Sequence, residues 1–225
     1  MKSANWFILF LLVFGVELVA IGTHQDDWRY VTKPLLMITL AIWFFTSVKG
    51  KAPRFSRFIG AALLFSWLGD VFLLFESRNA LFFLLGLSSF LVAHLAYILA
   101  FTSIAGRERI SNNRWLLLPV MAYYVVMMRI LSPHLGEMAW PVRIYGGVIS
   151  VMLLQSLQLF RLKEKGTAIL FVCGALLFVL SDSLLAINKF YAPFSWAGLA
   201  VMFTYGLAQV LLVRAAMGYI QSSNE

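Results

Sequence analysis

Charged side chains are scarce in this sequence. Asp, Glu, Lys and Arg together make up 12% of its 225 residues, against 61% hydrophobic ones. A soluble domain carries roughly 25% charged residues, so the chain lacks the polar surface that would keep this much apolar mass in water. There is one cysteine, Cys173, which excludes an intrachain disulfide and, in its apolar run, reads as a packing residue. The histidines, His24, His94 and His134, fall on separate segments, which argues against a metal site. Soluble-enzyme motifs are missing as well: there is no Gly-x-Ser-x-Gly elbow, no His-Glu-x-x-His pair and no phosphate-binding glycine loop. The Gly-x-Gly-Asp of an intramembrane aspartyl protease is absent too, because Trp67-Leu68-Gly69-Asp70 lacks the first glycine.

What is present is a succession of long apolar runs. A membrane helix needs about 20 mostly apolar residues, and eight candidates occur, at 6–22, 34–48, 58–75, 80–104, 115–132, 142–160, 167–187 and 196–217. The expectation is an all-α polytopic membrane protein, one integral-membrane domain over residues 1–225. The first run has the charge and length of a signal peptide, but it contains Glu17 and lacks a small-residue cleavage site, so it is read as a span.

The formal net charge of +8 does not point to nucleic acid, because the cations sit in short clusters between apolar runs, where they would meet lipid headgroups. Twelve of the 18 Lys and Arg residues fall on one side: Lys2; Lys49, Lys51, Arg54 and Arg57; Arg107, Arg109 and Arg114; Arg161, Lys163 and Lys165; and Arg214. The positive-inside rule then places both termini in the cytoplasm, in what is expected to be a bacterial inner membrane. A faint internal likeness points to a tandem repeat of two four-helix units: Gly60-Ala61-Ala62-Leu63-Leu64-Phe65 precedes Asp70, and Gly174-Ala175-Leu176-Leu177-Phe178 precedes Asp182.

Three carboxylates fall within spans: Glu17, Asp70 and Asp182. A charged carboxylate in hydrocarbon costs about 2.5–3.5 kcal/mol on insertion scales, so such groups face the bundle interior, share protons or meet a partner. Each lies about five residues before the outer end of its helix. Other polar residues could join them. His94 and Tyr97 share a face of span 4, Tyr205 and Gln209 share a face of span 8, Lys33 opens span 2, and Asn188-Lys189 closes span 7. Each also has a structural reading: Tyr205 and Gln209 as hydrogen-bond glue between helices, Lys33 and Lys189 as snorkelling cations, and His94 as a packing residue.

Taken together, Lys33-Pro34-Leu35, Gly69-Asp70-Val71-Phe72-Leu73, His94-Leu95-Ala96-Tyr97, Ser181-Asp182, Ala186-Ile187-Asn188-Lys189-Phe190 and Thr204-Tyr205-Gly206-Leu207-Ala208-Gln209 resemble the YhhN-like lysoplasmalogenase family of eight-span membrane hydrolases. The resemblance implies hydrolysis of the vinyl-ether bond of a lysoplasmalogen to a fatty aldehyde and a glycerophospho-ethanolamine or -choline, with no cofactor and no protein partner. It casts Asp70 and Asp182 as the acid/base pair. Glu17, Lys33, His94, Tyr97, Asn188, Lys189, Tyr205 and Gln209 become substrate-binding candidates. The chemistry suits two carboxyl groups: one protonates the β carbon of the vinyl ether, and the other stabilises the resulting cation and activates water. On the residues alone a proton-coupled transporter using the same carboxylates also fits, as does a non-catalytic membrane scaffold. Aldehyde release separates the first reading from the others.

Overall fold

The structure, a computed structural model, describes residues 3–222, so Lys2 of the basic set lies outside the described residues. Eight helices follow one another: α1 (Ser3–Gly22), α2 (Asp26–Val48), α3 (Pro53–Leu74), α4 (Ala80–Arg107), α5 (Leu117–Leu131), α6 (Ala139–Gln158), α7 (Lys165–Ala186) and α8 (Ala197–Ser222). No strand occurs among the described residues. Every one of the eight, counted with its flanking short turns, is long and apolar enough to cross a bilayer. In hydrocarbon each backbone N–H and C=O must find its partner within the segment, and a helix does this without help. The chain is an all-α integral membrane protein.

The largest departure from the expected boundaries is α2, which begins at Asp26 rather than at residue 34. Pro34 reads as a first-turn proline, a position it favours. The helix instead starts with Asp26 and Asp27 in its first turn, where carboxylates complement the helix dipole, and carries Pro34 in its interior. Lys33 therefore lies about 10 Å inside α2 by rise per residue and does not open it.

The chain divides into two compact units, one running to Tyr97 and resuming at Val213, the other spanning Ile98–Leu212. In the first, α1 and α2 run antiparallel. The Ser3 and Ser47 hydroxyls are 2.5 Å apart, Phe7 stacks on Trp43 with ring centroids 4.5 Å apart, and Thr32 donates to Glu17; each step along α1 matches a step back along α2. α3 approaches α2 closely at Gly60, where a Cβ would lie 2.7 Å from the Phe45 ring. It approaches α4 at Gly69, where a Cβ would lie 2.5 Å from the Phe90 ring. That second glycine sets the packing of the turn that carries Asp70.

In the second unit, α7 approaches α8 at Gly174, where a Cβ would meet Leu212 Cγ at 2.8 Å. The Ser181 hydroxyl donates to the Val201 carbonyl at 3.0 Å. The segment before α5 is fixed to the end of α6 by a two-point amide clamp, Asn113 N–H to Gln158 Oε1 at 2.9 Å and Gln158 Nε2 to Asn113 O at 3.1 Å. α7 ends in a wider π-helical turn, Ile187–Tyr191, a feature frequent at functional sites.

Candidate active site

Asp70 lies four residues before the end of α3 and is 2% exposed. Lys33 reaches it from α2, with Nζ 3.8 Å from Oδ1, and the lysine side chain is itself 11% exposed. The extra turns at the start of α2 make this pair, since they draw Lys33 inward to the level of the carboxylate. An isolated charge at such a site costs several kcal/mol, and an opposite charge in contact offsets part of that. Ser66, one turn before Asp70, is fully buried, as are His94 and Tyr97 on α4.

Glu17, also fully buried, is answered by α2 at two points: the Thr32 hydroxyl donates to Oε2 at 2.5 Å, and Arg29 Nε donates to Oε1 at 3.4 Å. Arg29 also donates to Asp26 at 3.0 Å. This carboxylate joins α1 to α2.

Asp182 sits four residues before the end of α7. The Tyr145 phenol of α6 donates a hydrogen bond to its Oδ2. Next to it, the Tyr123 hydroxyl of α5 and Ser183 Oγ are 2.9 Å apart. These groups form the polar corner of a cavity of about 40 Å³ among α5, α6 and α7. Helical periodicity explains its walls: Val142, Tyr145, Gly146 and Ile149 form one face of α6, and Asp182, Ser183 and Ala186 one face of α7. Met127, Met128 and Leu131 of α5 complete an apolar lining.

The remaining candidates are placed as follows. Tyr205 (4% exposed) and Gln209 (fully buried) lie a turn apart on α8, and Tyr205 packs edge-on to Phe178 at 5.5 Å. Asn188 shapes the connection after α7, its Oδ1 accepting the Phe194 N–H at 3.1 Å. Lys189, in the π-helical turn, is exposed. Sequence reasoning missed Arg29, Thr32, Tyr123, Tyr145 and Ser183. Arg29 carried one signal, its place three residues after Asp26. The tyrosines carried none, since a tyrosine in an aromatic-rich apolar helix is background.

Among known proteins, the YhhN family profile matches residues 28–216. The human lysoplasmalogenase TMEM86B (Homo sapiens) is 31% identical over 187 residues, covering 82% of this chain and 72% of that protein. A lysoplasmalogenase of Mycobacterium tuberculosis is 32% identical over 212 residues, 89% of this chain and 78% of its own length. The TMEM86B lysoplasmalogenase of Rattus norvegicus is 30% identical over 219 residues, 95% and 84% of the two chains. No solved structure matches significantly.

Proposed function

Because this chain belongs to the YhhN family, we propose that it is a lysoplasmalogenase, the activity for which its human and mycobacterial relatives are named. The observation that carries the reading from relatives to residues is the pair of aspartates within spans, each met by a polar partner from a neighbouring helix: Asp70 by Lys33 and Asp182 by Tyr145. Vinyl-ether hydrolysis asks for such groups. A carboxylic acid protonates the β carbon, an oxocarbenium-like cation forms at the α carbon, a carboxylate steers water onto it, and the hemiacetal collapses to the fatty aldehyde and the glycerophospho headgroup. The proton transfers fall to Asp70 and Asp182. Lys189, exposed at the end of α7, is the proposed contact for the substrate phosphate. His94, Tyr97, Tyr205 and Gln209 are proposed to meet the rest of the substrate.

The distribution of Lys and Arg supports cytoplasmic termini in a bacterial inner membrane, with Lys189 on the periplasmic side. A cysteine at position 189 in a Cys173→Ala background should then react with a membrane-impermeant thiol reagent in intact cells. The activity itself is tested with detergent-purified protein and a panel of lysolipids. The expected result is aldehyde release from lysoplasmalogen and none from the acyl lysolipid of the same headgroup. No aldehyde, with uptake driven by a proton gradient in proteoliposomes instead, would sink the enzyme reading.

A further inference from the structure

The cavity beside Asp182 has more order than a packing defect needs. We propose that it holds the hydrolytic water, and that Tyr145 is the positioning residue that aims Asp182 at it. The inference rests on the lysoplasmalogenase reading and adds to it where the nucleophile waits and what orients it.

Proton counting among the hydroxyls leads there. Ser183 Oγ donates its single proton to the Val179 carbonyl at 2.6 Å, so in its 2.9 Å contact with Tyr123 it accepts, and the phenol is the donor. Tyr145 spends its own proton on Asp182. Each phenol thus uses its proton within the corner and remains an oxygen acceptor, and a carboxyl group can accept more than one hydrogen bond. A water there gives one proton to the carboxylate and the other to a phenol oxygen, which turns its own lone pairs away from the polar corner. That is the pose of a nucleophile.

Size and lining agree. A cavity needs about 10–15 Å³ by this measure to hold a water, so about 40 Å³ takes one or a few. Met127, Val142 and Ile149 supply the apolar remainder and offer the water no competing hydrogen bonds.

The step balances. Once an acid has protonated the β carbon, the water oxygen bonds to the cationic α carbon as one of its O–H bonds breaks. That proton passes to Asp182, leaving a neutral hemiacetal. In the collapse, Asp182 returns the proton to the glyceryl oxygen as the carbon–oxygen bond breaks, and the hemiacetal O–H proton restores the acid that supplied the first. Both carboxyl groups end as they began.

The test is a double-mutant cycle on purified protein, with aldehyde release followed long enough to measure slow variants. Tyr145→Phe should lower kcat about tenfold and leave KM within about twofold, because the phenol acts on the reacting water and not on lipid binding. In an Asp182→Asn background the same change should cost less than about twofold, since its effect passes through the carboxylate. Gly146→Ala gives an independent arm. Its added Cβ meets Met128 Cε at 3.2 Å and Tyr124 Cε2 at 3.3 Å, both residues of the cavity wall, whereas a Cβ at Gly147 meets nothing within 4 Å. Gly146→Ala should lower kcat several-fold and Gly147→Ala should not. An active wild type with Tyr145→Phe at full kcat, or with losses that simply multiply in the double mutant, overturns this inference alone. Equal kcat for Gly146→Ala and Gly147→Ala overturns the placement of the water. A wild type that releases no aldehyde overturns the enzyme reading and this inference with it.

Discussion

The turn of α3 that carries Asp70 and the turn of α7 that carries Asp182 each lie four residues before the end of their helix, yet they are held by different chemistry. A lysine ammonium 3.8 Å away faces the first. That separation exceeds a normal hydrogen bond, so the attraction is Coulombic and makes little angular demand. A phenol donates to the second, and a hydrogen bond prefers an angle above about 150°. The Lys33 contact supplies charge compensation, and the Tyr145 contact supplies direction. Glycosidases divide acid and base roles between two carboxyl groups by giving them unlike surroundings, and the same principle suits a reaction through an oxocarbenium-like cation.

The comparison breaks most severely if either carboxyl group is removed. Asp70→Asn and Asp182→Asn should each lower turnover by at least about 10², the usual scale of lost general acid–base catalysis, in protein that still inserts and purifies as wild type. Near-normal turnover in both variants would withdraw the catalytic assignment.

Next in size is the loss of charge beside Asp70. Lys33→Met keeps the bulk of the side chain and removes the ammonium. Turnover is expected to fall about tenfold, and in an Asp70→Asn background the change should add little, since coupled residues do not add. A rise in KM with kcat intact would instead make Lys33 a headgroup contact. Set beside Tyr145→Phe, this experiment asks whether charge and direction are worth comparable amounts at the two aspartates.

The eight spans were legible because a bilayer imposes a length and a polarity that composition reveals directly, and the three carboxylates stood out because ionisable groups in such runs are rare. Their partners were not legible in the same way. Lys33 was singled out, but its role turned on where α2 begins, and Pro34 concealed two further turns of helix. Tyr145 became informative only when tertiary structure set it against Asp182. The two like segments, Gly60-Ala61-Ala62-Leu63-Leu64-Phe65 and Gly174-Ala175-Leu176-Leu177-Phe178, pack differently at their glycines. The glycine lies ten residues before Asp70 but eight before Asp182, a shift of about 200° around the helix. Accordingly Gly60 meets Phe45 of the preceding helix, whereas Gly174 meets Leu212 of the following one.

A smaller effect is expected at Lys189, which is exposed where Lys33 is buried in its ion pair. Lys189→Ala should raise KM about three- to fivefold with kcat within about twofold, because a phosphate contact is equally strong in ground and transition states. An unchanged KM would assign the side chain to the membrane interface instead.

The last test uses Glu17, which accepts from Thr32 and Arg29 of α2, as the reference for the other two. Thr32 and Thr39 lie on the same helix, 5% and 3% exposed. Thr32 reaches across to Glu17 at 2.5 Å as well as back to the Trp28 carbonyl at 3.0 Å, whereas Thr39 donates back to carbonyls of its own helix, to Leu35 and Leu36 at 2.9 Å. Threonine to valine keeps the shape and deletes the hydroxyl at both positions. At Thr39 the carbonyls retain their backbone partners, and such back-bonding is neutral to slightly destabilising in a helix, so stability should hardly change. At Thr32 a buried carboxylate loses a short hydrogen bond and keeps Arg29, so about 1–3 kcal/mol should be lost, or roughly 2–4 °C in melting temperature per kcal/mol at this chain length. Thermal unfolding in detergent reads both. Equal shifts would mean that the bond between α1 and α2 contributes nothing beyond helix propensity.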